Sequence, residues 1–187
     1  FRLTRRMTVP ARMTYHRQYT QRSGEYTELT VAATLTLLRD CPYILLHIEV
    51  DNAAKDHRLL LSLASGIDSA EYEADQAFAF VRRSAGRNME THNWKEPDKT
   101  EKAFGNVVVR RRPDASGFAF ISRGGMHEAA VCTGPEGAID ITLLRCFGKT
   151  FLKNEQSAGQ LEGSWTFDAA LYPFSSETTS DQLLDVR

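Results

Sequence analysis

Apolar and polar residues alternate along most of this chain with the period of two that a half-buried β-strand requires. Leu29, Val31, Ala33, Leu35 and Leu37 share one strand face, and Thr30, Ala32, Thr34 and Thr36 take the other. After the turn residues Asp40-Cys41-Pro42, Ile44, Leu46, Ile48 and Val50 alternate with Leu45, His47, Glu49 and Asp51. A polar corner at 51–56 leads into Leu59, Leu61 and Leu63. Tyr72, Ala74, Gln76, Phe78 and Phe80 define a further face, opposite Glu71, Glu73 and Asp75. Burying three carboxylates unpaired is costly, so that acidic face is expected in water. Further strands are expected over 106–111, 118–122, 126–132, 138–146 and 161–172.

Helical periodicity is nearly absent. The joins are short turn sequences: Arg22-Ser23-Gly24-Glu25, Pro113-Asp114-Ala115-Ser116-Gly117, Gly124-Gly125 and Thr133-Gly134-Pro135-Glu136-Gly137. Antiparallel neighbours need such turns. About ten strands linked this way predict an all-β fold, an antiparallel β-sandwich, with residues 1–187 as a single domain. Two connections, 84–102 and 147–160, are too long for hairpins. Loops of that length are more often functional or mobile than accidental.

Composition narrows the function. With 42% hydrophobic and 25% charged residues the chain has the balance of an ordinary globular protein. A net charge of −1 gives no field for nucleic acid or an anionic membrane surface. The basic groups Arg82-Arg83 and Arg110-Arg111-Arg112 are expected on solvated strand faces or ends. No apolar run approaches the roughly 20 residues that span a bilayer. The first residues, Phe1-Arg2-Leu3-Thr4-Arg5-Arg6, lack an initiator Met and an apolar leader, and the chain stops just after Leu183-Leu184. Both ends are read as those of a piece of a longer protein. Cys41, Cys132 and Cys146 form no C-x-x-C pair, so free thiols in a reducing compartment are expected, and no zinc site.

Candidate chemistry is sparse. His47, Glu49 and Asp51 share a strand face, about 7 Å apart, which is metal-ligand spacing on paper but also the polar outer face of a sandwich strand. Asp56-His57-Arg58 fits a structural corner in which Asp56 or Asp51 pairs with Arg58 and Asn52 closes the turn. His127 and Glu128 are adjacent, so a strand sends them to opposite faces. No nucleophile-elbow, zincin or phosphate-loop pattern occurs. No carboxylate pair stands out for glycoside hydrolysis. No catalytic or metal residue is assigned. Trp165 alternates with Phe167 and Ala169 and is expected in the core. Trp94, in the polar 84–102 segment, is the better candidate for stacking on a sugar. Lys149, Lys153 and Asn154, in the 147–160 connection, suit hydroxyl and anionic groups of a substrate.

Three stretches carry a family resemblance: Val50-Asp51-Asn52-Ala53-Ala54-Lys55-Asp56-His57-Arg58-Leu59, Thr142-Leu143-Leu144-Arg145 and Ala169-Ala170-Leu171-Tyr172-Pro173. In this order the chain resembles, from about Glu28 to Phe174, the C-terminal β-sandwich region of a family 38 glycoside hydrolase, the α-mannosidase family. The resemblance implies a sandwich of the supersandwich, galactose mutarotase-like type. It also implies a retaining catalytic domain, with an aspartate nucleophile and zinc, that lies outside this chain. The implied partners are that N-terminal catalytic domain of the same chain and a mannoside substrate. Self-association is left open. Free thiols and the absence of a leader suit the bacterial cytoplasmic branch, which includes mannosylglycerate hydrolases. In the family a sandwich loop approaches the sugar, and by position this is 147–160. Two other readings stand beside it: an independent carbohydrate-binding module and a mutarotase-like sugar epimerase.

Overall fold

The computed structural model describes residues 1–15, 20–149 and 157–186. In chain order the strands are β1 (Arg2–Pro10), β2 (Met13–Tyr15), β3 (Thr20–Arg22), β4 (Tyr26–Leu37), β5 (Ile44–Asn52), β6 (Arg58–Ala64) and β7 (Glu71–Asp75). They continue as β8 (Phe80–Ser84), β9 (Glu101–Ala103), β10 (Val107–Arg111), β11 (Gly117–Ser122), β12 (Glu128–Val131), β13 (Ala138–Arg145) and β14 (Gly163–Phe174). One short helix, α1 (Ser180–Leu184), follows. The fold is therefore all-β, an antiparallel sandwich, as the alternation predicted. Its hydrogen-bonding orders are β1-β4-β5-β14-β11-β10-β7-β8, β6-β13-β12-β9 and β2-β3.

The chain forms two compact units. The first comprises Phe1–Leu35, His47–Leu60 and Leu143–Phe167. In it β1 pairs antiparallel with β4, from Arg2 opposite Thr34 to Pro10 opposite Tyr26, and β2 pairs with β3. Leu29, Ile48 and Val50, on the apolar faces read from the sequence, are buried. Asn52 closes its corner as expected, its Oδ1 accepting from the Ala54 N–H at 3.0 Å, while its Nδ2 donates to the Leu161 carbonyl at 2.9 Å.

The second unit comprises Thr36–Leu46, Leu61–Thr142 and Asp168–Arg187. Strand β10 pairs with β7 and β11, β7 with β8, and β11 with the Ala169–Phe174 part of β14. On one face Val107, Val109, Ala119, Ile121, Ala170 and Phe174 form a core with Leu183 of α1. A capping box fixes this helix: Thr179 Oγ1 accepts from the Gln182 N–H, and the Gln182 side chain accepts from the Thr179 N–H. On the other face β9, β12 and β13 supply the opposing layer, with Phe104 edge-on to Phe120 at 6.3 Å.

Three expectations are corrected in this unit. The strand begun at Tyr72 ends at Asp75, because the Gln76 N–H donates to the Ala79 carbonyl and turns the chain into β8. Phe78, expected to share a strand face with Tyr72, sits on that turn fully exposed. Asp75 does not face water: it is 6% exposed and accepts from the Asn106 and Val107 N–H groups at 2.7 Å each. Arg110, expected on a solvated face, is 0% exposed. Both faces of β10 are covered, so no side chain at 107–110 reaches water. The guanidinium is accommodated because it donates to the carbonyls of Ile67, Ser69 and Cys132.

Candidate functional site

The corner after β5 is a densely hydrogen-bonded polar site of the first unit. Asp56 stands at φ 54°, in the left-handed region that Asp tolerates better than most residues. Its carboxylate accepts from the Tyr15 hydroxyl at 2.5 Å, the Gly148 N–H at 2.6 Å, Gln160 Nε2 at 2.9 Å and the Met13 N–H at 3.1 Å. Gln160 also accepts, through Oε1, from the Asp56 N–H at 2.8 Å. Arg22 donates to the Asp56 carbonyl at 2.7 Å. One carboxylate thus ties β2 to both ends of the 147–160 connection.

Glycines make this approach possible. A Cβ on Gly148 would lie 2.5 Å from Gln160 Nε2 and 2.8 Å from Asp56 Oδ1. A Cβ on Gly159 would lie 2.6 Å from the Phe147 carbonyl oxygen, which is why the Phe147 N–H can donate to Gly159 across the base of the connection.

The electrostatics follow from these bonds. Burial opposes ionisation of Asp56, but the hydrogen bonds from Tyr15, Gln160, Met13 and Gly148 outweigh it and hold the carboxyl below its ordinary value. Burial first, and the Asp56 carboxylate second, push the Tyr15 hydroxyl up to about 12. Burial and the Arg22 charge lower the pKa of His57, whose ring nitrogens are buried without a hydrogen-bond partner. A neutral, enclosed imidazole and a carboxylate held by four donors are poor proton carriers. The corner serves as a fastening point.

Lys149 follows the pinned Gly148. It is exposed, and its ammonium lies 5.9 Å from the centre of the Tyr15 ring. Lys153 and Asn154 lie outside the described residues. Trp94, in the second unit, is 66% exposed, its N–H donating to the Thr91 carbonyl just after a short 3-10 turn at Met89–Thr91. Trp165 departs from expectation: it is 36% exposed, while Phe167 and Ala169 are buried. Its indole N–H reaches the Leu161 carbonyl at 2.9 Å, which holds the ring at the margin of the first unit.

The second unit has a cleft of about 580 Å³ lined in part by Asp68, Glu71, Glu73, Arg82, Arg111 and Arg112. Its central charges are already engaged. Glu73 accepts from Arg111 at 3.4 Å and from the Ser180 hydroxyl at 2.9 Å. Arg111 also reaches the Thr178 carbonyl and lies 4.8 Å above the Phe174 ring. Elsewhere in this unit His127 contacts the Gly105 carbonyl and Glu128 accepts from Thr142, so the adjacent pair serves different partners. No group of three His, Cys, Asp or Glu residues able to hold a metal occurs among the described residues. The three cysteines are free. Burial raises the Cys146 thiol to about 11, which leaves it protonated at neutral pH.

Sequence reasoning singled out Asp56 as a structural corner residue, with Asp56 or Asp51 as a partner for Arg58, and it passed over Tyr15, Gly148 and Gln160. Of these only Gly148 carried a signal, as a position where backbone must come close.

Neither a protein-family model nor a curated protein matches the sequence. Solved structures do. The fold is one found within family 38 glycoside hydrolases. A protein in glycosyl hydrolase family 38 from Enterococcus faecalis matches with a TM-score of 0.76 and 19% identity, over 94% of this chain and 21% of that one. An alpha-mannosidase from Enterococcus faecalis V583 matches with a TM-score of 0.78 and 19% identity, over 94% of this chain and 20% of that one. The chain therefore spans about a fifth of the length of the family 38 structures it resembles. No helix among the described residues is long and apolar enough to cross a membrane.

Proposed function

We propose that this chain is the non-catalytic β-sandwich portion of an α-mannosidase-type glycoside hydrolase, a retaining enzyme whose zinc and nucleophile belong to a catalytic domain of the same longer chain. Residues 1–187 act as one supporting domain and turn over no substrate alone. The observation that carries this reading is the match of 94% of the chain to a fifth of two family 38 structures. A reducing, cytoplasmic setting is part of the proposal, supported by the free thiols. Within the full enzyme the 147–160 connection lends substrate-positioning contacts, with Lys149 or Lys153 meeting an anionic group such as the carboxylate of a mannosylglycerate. The support is geometric: both ends of the connection are fastened at Asp56, and Lys149 is left exposed beside them.

The test is Lys149→Ala in the full-length enzyme, with kinetics and melting temperature measured together. A fall of about tenfold in kcat/KM on the anionic mannoside with an unchanged melting temperature is expected. Unchanged kinetics would remove Lys149 from the site.

A second reading, an independent carbohydrate-binding module, is favoured by the exposed Trp94 indole. It expects the isolated chain to bind mannan, and Trp94→Ala to abolish that binding.

A further inference from the structure

The first strand of the eight-stranded order has one side that no strand among the described residues pairs with. At one end of β1, Phe1 and Leu35 exchange hydrogen bonds: the Phe1 amino group donates to the Leu35 carbonyl at 2.8 Å, and the Leu35 N–H donates to the Phe1 carbonyl at 2.7 Å. Beyond the other end the Ala11 N–H donates to the Glu25 carbonyl at 2.8 Å, in the same register. Hydrogen-bonded pairs alternate along an antiparallel ladder. The odd-numbered residues of β1 therefore turn their backbone groups to β4. Arg2, Thr4, Arg6 and Thr8 turn theirs outward. No strand among the described residues pairs with that outer side. The next outward position is Pro10, which has no N–H to offer, so the open ladder ends there.

The side chains along this edge have a definite chemistry. Every residue from Arg2 to Arg6 is exposed. Leu3 is 58% exposed although it stands on the apolar face, opposite Ala33. Arg2 is paired with Glu49 at 2.6 Å. Arg5 and Arg6 have no carboxylate partner among the described residues. A second copy of the chain is a poor occupant, because antiparallel self-pairing about the middle of β1 sets these arginines against each other. A long unpaired edge is otherwise a liability.

We propose that the outer edge of β1 is a β-augmentation site for an extended acidic–apolar segment of a partner polypeptide. The segment adds antiparallel to β1, with carboxylates opposite Arg5 and Arg6 and an apolar side chain opposite Leu3. Affinity comes from the backbone groups of Arg2, Thr4, Arg6 and Thr8, and selectivity from charge. The proposal rests on β1 alone and stands or falls independently of the mannosidase reading.

The experiment titrates the 187-residue chain with acetyl-Thr-Val-Glu-Glu-Thr-Val-Thr-amide and follows backbone amides by NMR. The expected result is saturable binding in which the Thr4, Arg6 and Thr8 amides shift and exchange more slowly, while those of Leu3, Arg5 and Met7 gain no protection. A peptide with both glutamates replaced by lysines binds about tenfold more weakly, as two reversed cross-strand charge pairs imply. The double variant Arg5→Glu, Arg6→Glu inverts that preference. Thr4→Pro removes an outward N–H while keeping every bond to β4, so it abolishes binding and leaves the fold intact. Should Thr4→Pro not fold, the same peptide N-methylated at alternate amides tests the ladder from the ligand side and is expected not to bind. No titration, equal binding of the two peptides, undiminished binding by folded Thr4→Pro or of the methylated peptide, or even-numbered amides already protected in a self-associated chain would each overturn the proposal.

Discussion

At Asp56 a left-handed backbone and a carboxylate serve one purpose, which is to hold segments far apart in sequence at a single point. Asp56→Ala leaves the Met13 and Gly148 N–H groups and the Gln160 side chain without their acceptor. A loss on the order of 2 kcal/mol is expected, read by urea unfolding. Arg58→Ala, at an exposed position, is expected to cost about 1 kcal/mol or less. The Asp56 pKa is depressed in the folded state, so its stabilisation is present above the ordinary value of 3.8 and is lost as pH falls through the lower folded value. Asp56→Asn should flatten that part of the acid limb. Tyr15 titrates in the opposite sense. Its contribution is full below 10.0 and is lost as pH rises toward about 12, and Tyr15→Phe removes that alkaline loss. Arg110 is the other decisive side chain. Arg110→Met strands three carbonyls that it now satisfies, and a loss of about 2–4 kcal/mol in urea unfolding is expected despite the better apolar match.

Among the elements, the β10–β11 hairpin shows how a turn residue can serve packing. Gly117, read from the sequence as the end of a Pro/Asp/Gly turn, begins β11 opposite Arg111 and Phe174. A Cβ there would lie 2.2 Å from the Arg110 carbonyl oxygen and 2.5 Å from Phe174 Cζ. Backbone cannot yield as a flexible side chain does, so Gly117→Ala is expected to lower stability by about 1–3 kcal/mol, measured as a shift in the urea midpoint. Strand existence was legible because period-two alternation is a local property. Strand ends were less so. β7 stops at Asp75 because the Gln76 N–H turns back to the Ala79 carbonyl, and the Asp75 carboxylate is taken by backbone N–H groups some thirty residues later, which no local pattern announces. Trp165, which the alternation alone placed in the core, is instead 36% exposed with its indole N–H on the Leu161 carbonyl.

For the molecule as a whole, the expectation that no zinc site is present can be tested directly, since no metal-holding group of side chains occurs among the described residues. Treatment with a chelator should leave the melting temperature unchanged, and the far-ultraviolet circular dichroism should be that of β-structure before and after. A shift of several degrees on metal removal would show that a structural ion had been overlooked. The similarity to a fifth of the family 38 structures was legible at the level of fold from three short stretches, though identity is only 19%. A fold survives such divergence because it depends on burial patterns and turn positions, whereas substrate contacts depend on individual side chains.

The sequence by itself determined that the chain is an antiparallel all-β protein, where most strands run, which faces are apolar and where the chain turns. These follow from alternation and backbone preference, which act over a few neighbouring residues. Tertiary structure alone decided the fates of its charged and polar groups. It put Arg110 in the interior, gave Asp75 to backbone amides, and brought Tyr15 and Gln160 to Asp56. It also left one edge of β1 without a pairing strand among the described residues. The physical reason is that burying a polar group depends on whether donors and acceptors from distant segments arrive to satisfy it, and only the folded chain brings them together.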